Sequence, residues 1–312
     1  MSPFRGFDRA EQGTDQFVTR YAPSPTGRLH LGHVANAMYV WGMARLNRGR
    51  VILRMEDHDR GRSRAAHEDS ILEDLEWLGF MPDLGTLDEF RAGPTPFRQS
   101  DCAPHYENAL AALVDQGLVY ACDCSRSRIA ASGDAKPGEE VPYDGYCRDR
   151  SLPIEPGLGL RVRMPAARQR FTDMLLGEQL QDPVIQCGDM LLRDRLGNWT
   201  YQFTVVIDDW RQGVNVVIRG EDLLSSTGRQ IALQSLMSAG TPTYLHHPLI
   251  QEHGRKLSKR EGDLSLARLR MRGVSPALVL GQAGFLVGLV SDQRAITVRD
   301  LPDIVGPMLT RV

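Results

Sequence analysis

The sequence contains no apolar run of the length that a membrane-spanning helix needs. Its longest apolar-rich run, from Ala277 to Val290, is too short and is interrupted by glycines. Residues 1–16 lack the apolar centre of a secretory signal peptide. We therefore predict a cytoplasmic protein that makes no membrane contact.

Cysteine is scarce and unevenly placed, with five residues in a chain of 312. An odd, clustered set does not resemble the disulfide framework of a secreted protein. Charge is also nearly balanced, and a net charge of −2 excludes no class of partner, because a basic face can lie on a balanced chain. The length allows one large domain with an insertion, or two domains.

The most informative stretch runs from Phe17 to His33 and reads FVTRYAPSPTGRLHLGH. A short apolar run, a Pro/Ser/Gly turn and a helix-like run that follows His33 predict strand, turn and helix. His30 and His33 would lie at the start of that helix, where unpaired backbone N–H groups and the helix dipole favour phosphate. The alternative is that the two histidines only cap the helix.

Further along, Val51–Met55 has the continuous apolar character of a buried parallel strand. It ends in Glu56–Asp59, where open α/β sheets bind ligands, although four ionisable residues in a row also suit a solvated loop. Apolar periodicity predicts a helix over Ala65–Leu78, capped by Gly79. We predict a loop over Gly85–Pro96.

The second half of the chain continues the α/β pattern. We predict a helix over His105–Gln116, either a helix or a strand over Phe203–Ile207, and a strand over Val214–Ile218. That last strand delivers the polar residues Arg219–Asp222 at its C-terminal end. A helix follows over Gly228–Ala239.

Cys122, Cys124 and Cys147 suggest thiolate ligands for Zn²⁺, which prefers four ligands arranged as a tetrahedron. Candidates for the fourth ligand are Tyr143, Tyr146, the carboxylate of Asp123 and a water molecule. The alternative is a set of reduced thiols in a small subdomain.

A basic segment at residues 254–260, GRKLSKR, suits the binding of a triphosphate, although such a segment is also typical of a solvated surface or an RNA contact. The His-x-Gly-His turn followed far downstream by Lys-x-Ser-Lys resembles the paired signatures of class I aminoacyl-tRNA synthetases, which carry both around one ATP.

The resemblance is to the glutamyl-tRNA synthetase group and covers about residues 17–262. It rests on RYAPSPTGRLHLGH, LRMEDHD, RQSD, YACDCSR, YQFTVVIDDW, VIRGEDLL, TGRQ and KLSKR, in that order. It implies a Rossmann-type parallel sheet interrupted by an inserted subdomain that binds an acceptor arm. It also implies activation of glutamate to glutamyl-adenylate with Mg²⁺-ATP, followed by transfer to RNA.

The same resemblance implies roles for individual residues. Glu56 would meet the α-ammonium group of glutamate, two arginines would pair with its carboxylates, and histidines and a lysine would neutralise charge at the α-phosphate. The implied glutamate-binding residues are Arg20, Tyr21, Ala22, Pro23, Ser24, Glu56, Tyr201 and Arg219. The implied ATP-binding residues are His30, Gly32, His33 and Lys259, and the catalytic ones are His30, His33, Lys256 and Lys259.

Two features narrow the resemblance to the short paralogues of this group, which attach glutamate to queuosine at the wobble position of tRNA(Asp). The residues after Arg260 number 52 (312 less 260), too few for an anticodon-binding domain, and Leu223 replaces the histidine common after the Glu-Asp pair. The paralogues imply one structural Zn²⁺ on Cys122, Cys124, Tyr143 and Cys147. They also imply adenylate formation without tRNA and binding of the anticodon stem-loop, and we expect a monomer.

The predicted organisation begins with a flexible tail, 1–16, and a catalytic domain in two halves, 17–100 and 190–240. An inserted RNA-binding subdomain with the zinc site, 101–189, separates the two halves. A short helical C-terminal region with the KLSKR loop, 241–312, follows. The alternatives are a glutamyl-tRNA synthetase without its anticodon domain that charges a tRNA 3′ end, a dinucleotide-forming nucleotidyltransferase, and a non-catalytic RNA-binding paralogue.

Overall fold

The structure is a computed structural model that describes residues 16–133, 140–252, 255–256 and 265–308. Its strands are β1 (Val18–Tyr21), β2 (Arg50–Leu53), β3 (Val119–Cys122), β4 (Gly159–Val162), β5 (Gln169–Asp173), β6 (Gly177–Gln181), β7 (Met190–Arg193), β8 (Val216–Gly220), β9 (Thr243–His247), β10 (Gln251–Glu252) and β11 (Arg255–Lys256). Its α-helices are α1 (Leu31–Leu46), α2 (Ala65–Leu78), α3 (Leu87–Ala92), α4 (Ala103–Asp115), α5 (Arg126–Ala131), α6 (Pro183–Cys187), α7 (Tyr201–Arg211), α8 (Thr227–Leu236), α9 (Leu266–Met271), α10 (Pro276–Leu286) and α11 (Leu301–Val305).

Parallel strands position the candidate site. β1 pairs in parallel with β2, and β8 pairs in parallel with β9. Asn215, just before β8, ties β8 to β1, because its backbone N–H donates to Val18 O at 3.1 Å and its side-chain Oδ1 accepts from Val18 N at 2.8 Å. The carboxyl ends of these strands therefore meet at one edge, where α/β sheets bind ligands. The predicted α/β class with parallel strands is confirmed.

Helix α1 lies at the centre of the main core. Its side chains, such as Met38 and Trp41, are inaccessible to solvent and pack in one apolar cluster with β1, β2, α2, α10 and α11. Burial on all sides fits its composition, because a helix that is apolar around its circumference belongs inside a protein. This packing fixes the N-terminus of α1 next to the strand ends.

A second core joins α4, α7 and α8 to the antiparallel sheet β3-β4-β7. The β5–β6 hairpin pairs antiparallel within itself, and Asp173 at the end of β5 pairs with Tyr244 of β9. Strands β4 and β5 lie inside the proposed insertion 101–189, whereas β7 and β9 lie after it. Because β4 pairs with β7 and β5 pairs with β9, hydrogen-bonded strands cross the proposed boundary. The domain boundaries stay a prediction.

Several local predictions can be checked directly. The helix over Ala65–Leu78 and its left-handed cap at Gly79 (φ 83°) are confirmed. The predicted loop over Gly85–Pro96 is wrong, because it contains α3. The side chain of Thr86 accepts from Glu89 N while Glu89 accepts from Thr86 N, so this short helix carries a complete capping box.

The segment Phe203–Ile207, left open between helix and strand, lies in α7. The C-terminal residues that are described form α9, α10 and α11, in agreement with the predicted helical region. None of the helices in the described ranges has the length and apolarity needed to cross a membrane. Residues 1–15 of the predicted tail lie outside the described residues.

Candidate active site

A cleft of about 540 Å³ opens at the carboxyl ends of β1, β2 and β8. It brings together most of the residues that the sequence predicts to bind glutamate or ATP, drawn from parts of the chain up to 199 positions apart (219 less 20). Those in the cleft wall are Arg20, Ala22, Ser24, His30, Gly32, His33, Glu56, Tyr201 and Arg219. One carboxylate, two guanidinium groups, a phenol and two imidazoles thus converge on one cavity.

Tyr21 and Pro23 are not in the wall of this cleft. Tyr21 is buried with its ring 5.4 Å from that of Trp41, and its hydroxyl donates to His33 O at 3.4 Å. The carbonyl of Pro23 accepts from Glu56 N at 2.9 Å. Both residues therefore shape the cleft from behind.

The basic segment can be placed only in part. Lys256 lies in β11, which pairs antiparallel with β10. Lys259 lies outside the described residues.

The two histidines at the start of α1 are held in a fixed tautomer. Nδ1 of His30 accepts from Gly32 N, and Nδ1 of His33 accepts from His30 N, each at 3.1 Å. A ring nitrogen that accepts a backbone N–H carries no proton, so in each neutral imidazole the proton is on Nε2. Both histidines can therefore donate to an anionic oxygen, and they also cap the helix, as the alternative reading held.

Gly32 is required by this arrangement because a Cβ there would lie 2.9 Å from Cε1 of His30. That separation is closer than a side chain tolerates, and so any larger residue would push the His30 imidazole from its place.

A buried charge cluster supports Glu56. The inaccessible side chain of Arg54 donates to Glu56 Oε1 at 3.0 Å and to Asp209 Oδ1 at 2.7 Å, and Arg20 Nε donates to the same Asp209 oxygen at 3.1 Å. Burial alone would raise the pKa of Asp209, but Arg20 and Arg54 outweigh it and hold that pKa below its usual value. Two cations and two carboxylates therefore fix the positions of Arg20 and Glu56.

Sequence reasoning missed Arg54 and Asp209 as supports of the site. Both stand inside quoted motifs, LRMEDHD and YQFTVVIDDW, and a charged residue within an otherwise apolar strand or helix was the available signal.

Arg219 is oriented by neutral partners. Its guanidinium donates to Nε2 of His246 at 3.0 Å, to Oε1 of Gln230 at 2.8 Å and to Oγ1 of Thr227 at 2.9 Å. Nδ1 of His246 lies 2.7 Å from the buried carboxylate of Asp173, which fixes the Nδ1–H tautomer and leaves Nε2 as the acceptor. Among the described residues the three neutral groups do not balance the charge of Arg219, so an anion in the cleft would find a positioned cation.

Burial lowers the pKa of His246 below its usual value, and that of His247 to about 4. Both imidazoles are therefore neutral at pH 7. His247 lines the cleft and stacks on Tyr39 with ring centroids 4.6 Å apart. The remaining residues of the wall are Asn36, His58, Arg62, Ile218, Gly220, Asp222, Leu223, Leu249 and Ile250. Of these, His58 lies in the predicted polar segment Glu56–Asp59, and Gly220 and Asp222 lie in the predicted segment Arg219–Asp222.

The predicted zinc ligands form a second cluster at the end of β3. The Sγ atoms of Cys122, Cys124 and Cys147 lie within 4.8 Å of one another. The hydroxyl of Tyr143 is 3.5 Å from Sγ of Cys122 and 3.8 Å from Sγ of Cys124, and it accepts from Cys147 N at 2.8 Å. Three sulfurs and a phenol oxygen at these separations fit one tetrahedral metal ion.

Tyr143 is held by its backbone as well as by its hydroxyl. It donates to Cys187 O at 3.0 Å and pairs with Gly188, whose φ of 65° and lack of a Cβ allow this close approach. Tyr146, the other tyrosine weighed as a ligand, is exposed and stacks under the guanidinium of Arg128. Asp123 Oδ1 lies 3.2 Å from Sγ of Cys147 and is paired with Arg150.

Burial would raise the pKa of Cys122, but hydrogen bonds with Tyr143 and Arg161 outweigh it and hold that pKa below its usual value, whereas burial raises the pKa of Cys124 to about 12. Without an ion the thiols of Cys122 and Cys124 would therefore not ionise together. A divalent cation favours the thiolates, which is the chemistry of a closed structural site.

A family model of the class I tRNA synthetases (E and Q), catalytic domain, matches residues 16–293. The chain is 43% identical over 253 residues to the glutamyl-Q tRNA(Asp) synthetase of Geobacter sulfurreducens, which covers 80% of this chain and 77% of that protein. It is 37% identical over 289 residues to the glutamate–tRNA ligase of Legionella pneumophila, which covers 91% of this chain and 59% of that protein.

Among solved structures, the fold is similar to that of a glutamate tRNA ligase from Elizabethkingia meningosepticum in complex with its amino acid. The TM-score is 0.77 with 28% sequence identity, over 92% of this chain and 64% of that one. The chain thus spans less than two thirds of the length of both glutamate ligases.

Proposed function

Because the chain belongs to the class I tRNA synthetases of the E and Q group and is therefore a ligase, we propose that it glutamylates queuosine in tRNA(Asp). In the first step it would activate L-glutamate with ATP to glutamyl-adenylate, without tRNA. In the second it would transfer the glutamyl group to queuosine at the wobble position.

The cleft carries the glutamate part of the proposal. Glutamate has one ammonium group and two carboxylates, and the wall offers the carboxylate of Glu56, the guanidinium groups of Arg20 and Arg219, and the phenol of Tyr201. Burial raises the pKa of Tyr201, so its hydroxyl stays protonated and can donate. In this proposal Glu56 pairs with the ammonium group, the arginines pair with the carboxylates, and Ala22 and Ser24 form the wall of the pocket.

The ATP part rests on the start of α1. Nε2–H of His30 and of His33 would donate to phosphate oxygens as the glutamate carboxylate attacks the α-phosphate in line and pyrophosphate leaves. Gly32 has no Cβ that would displace the imidazole of His30 from this position. Mg²⁺ would accompany ATP, and Lys256 and Lys259 keep the roles that the sequence motif implies.

The thiol cluster supports one structural Zn²⁺ held by Cys122, Cys124, Cys147 and Tyr143. Bound there, zinc would cross-link the end of β3 to residues 143–147 and contribute to folding rather than to the reaction. Zinc therefore belongs to the scaffold of the proposed enzyme.

The acceptor part rests on the relatives. Two glutamyl-Q tRNA(Asp) synthetases are 43% and 40% identical to this chain, and the matched regions cover 77% and 97% of those two proteins. An anticodon stem-loop of tRNA(Asp) that carries queuosine would be the partner. A cytoplasmic location and a monomeric state stay predictions.

Two assays test the function in sequence. Glutamate-dependent exchange between ATP and pyrophosphate in the absence of tRNA tests the first step. The second step is tested by labelled glutamate offered with three RNAs: the tRNA(Asp) stem-loop with queuosine, the same stem-loop with guanosine, and tRNA(Glu). We expect label only on the queuosine stem-loop. Label on tRNA(Glu) alone would favour the alternative of 3′-end charging, and no exchange would favour a non-catalytic paralogue.

A further inference from the structure

His58 lies in the cleft wall and has no role in the activation chemistry described above. It follows β2 by five residues, is half-buried, and its ring centroid is 6.3 Å from that of Tyr201. It is therefore next to the proposed glutamate pocket, on the same wall as Glu56.

A chain of hydrogen bonds fixes the tautomer of His58. Nδ1 of His58 lies 2.7 Å from Oε1 of Gln99, and Nε2 of Gln99 donates to Oδ2 of Asp208 at 2.8 Å. Asp208 is inaccessible and also accepts from Tyr106 and from Arg211, so its oxygens act as acceptors. The amide nitrogen of Gln99 must therefore face Asp208 and its oxygen must face the imidazole.

An amide oxygen only accepts, so Nδ1 of His58 carries the proton and Nε2 carries the lone pair. Within the described part of the chain, the bond to Gln99 is the only hydrogen bond of this imidazole. The backbone supports the same orientation, because Gln99 N donates to Met55 O at 3.1 Å and holds the glutamine beside the end of β2.

The other histidines of the wall differ in this respect. His30 and His33 accept at Nδ1 and so have the proton on Nε2, which makes them donors. His247 is buried, with Nδ1 on the carbonyl of Pro248 and Nε2 against Asn36. His58 differs from these three histidines because Gln99 fixes its proton on Nδ1 and leaves Nε2 as a basic nitrogen.

We propose that His58 accepts the proton of the attacking hydroxyl in the transfer step, an inference that rests on the proposed function. The acceptor oxygen would bond to the carbonyl carbon of glutamyl-adenylate as the bond from that carbon to the phosphate oxygen breaks. AMP leaves with the electron pair, and the hydroxyl proton passes to Nε2 of His58 and then to solvent. The Asp208–Gln99 pair positions the base and holds its tautomer.

The test separates the two half-reactions in the full chain. The His58→Asn variant keeps a donor for Gln99 but has no nitrogen at the position of Nε2, and His67→Asn, on α2 outside the cleft, is the matched control. Each protein is loaded with glutamyl-adenylate, and single-turnover transfer to the queuosine stem-loop is compared with ATP–pyrophosphate exchange. We expect the ratio of transfer to exchange to fall about 100-fold in His58→Asn, the usual size of a general-base contribution.

Restoration of the transfer rate by imidazole in solution is a second measurement, and a purely structural role of His58 would not produce it. It should restore part of the transfer rate in His58→Ala and leave His67→Ala unchanged. Transfer by His58→Asn at the rate of the unmodified protein, or a loss in His58→Ala that imidazole does not reverse, would overturn the role of His58. If the unmodified protein forms adenylate but glutamylates no RNA, the proposed acceptor fails instead, so the two failures are distinguishable.

Discussion

Replacing His246 with leucine should weaken glutamate binding although His246 does not line the cleft. The imidazole links Asp173 to Arg219 through two hydrogen bonds: its Nδ1 donates to the carboxylate at 2.7 Å, and its Nε2 accepts from the guanidinium at 3.0 Å. Leucine keeps a similar volume but provides neither group. The change therefore removes one hydrogen bond from the arginine that we propose for a substrate carboxylate.

The size of the effect follows from the charge on the donor. Hydrogen bonds to charged groups contribute about 1.5–3 kcal/mol, whereas neutral ones contribute about 1 kcal/mol. Arg219 is buried, so solvent cannot replace the lost acceptor. If the misplaced guanidinium loses one such bond to the substrate, the KM for glutamate should rise roughly 10- to 150-fold. The kcat should change less, because this contact is made in the ground state as well as in the transition state.

Glutamate-dependent ATP–pyrophosphate exchange measures both constants. His246→Gln, whose amide can accept from Arg219 and donate to Asp173, should recover most of the affinity, and His67→Leu on α2 controls for the loss of a histidine elsewhere. Thermal unfolding confirms that each variant is folded. A folded His246→Leu protein with a KM within twofold of the starting value would refute the reasoning, because Arg219 would then be positioned without this pair.

Three further changes test other parts of the molecule. Gly32→Ala should slow adenylate formation roughly tenfold or more, since a Cβ 2.9 Å from His30 Cε1 displaces a phosphate donor, and exchange kinetics at saturating substrates would show it. Cys124→Ser should abolish stoichiometric zinc, measured by elemental analysis, and lower the thermal midpoint, whereas Cys102→Ser should retain the metal. Burial raises the pKa of Asp74 to about 6, above its unfolded value near 4, so the folded state binds the extra proton and stability falls as pH rises through this window. Asp74→Asn should abolish that fall in urea unfolding curves at pH 4.5 and pH 7.5, and an unchanged pH dependence would contradict it.

Local patterns predicted the elements that frame the cleft. Apolar periodicity and a cap glycine were sufficient for α2, and the turn before His30 was sufficient for the β1–α1 junction, because both depend on interactions between near neighbours. Helix α3 was missed because six residues between turns show too little periodicity, although the Thr86–Glu89 capping box was legible in the sequence. Short elements are better predicted from their caps than from their period.

The supports of the site could not be predicted in the same way. Asp173 and His246 are 73 positions apart and meet only because Asp173, at the end of β5, pairs beside β9. Nothing in the residues around either one marks the pair, since a histidine in an apolar strand is ordinarily read as core. Tertiary packing, rather than spacing, decides which buried groups orient Arg219.

The cleft shows that the same side chain takes opposite chemical roles according to its partner. A backbone N–H at Nδ1 makes His30 and His33 donors, which suits phosphate oxygens that carry negative charge. An amide oxygen at Nδ1 makes His58 an acceptor, which suits a hydroxyl that must lose its proton. In the function that we propose, activation would generate charge at the α-phosphate and transfer would release a proton, so imidazoles of both kinds would serve its two steps. The two donor histidines stand together in the His-x-Gly-His motif. The tautomer of His58 depends instead on Gln99 and Asp208, which are 109 positions apart along the chain.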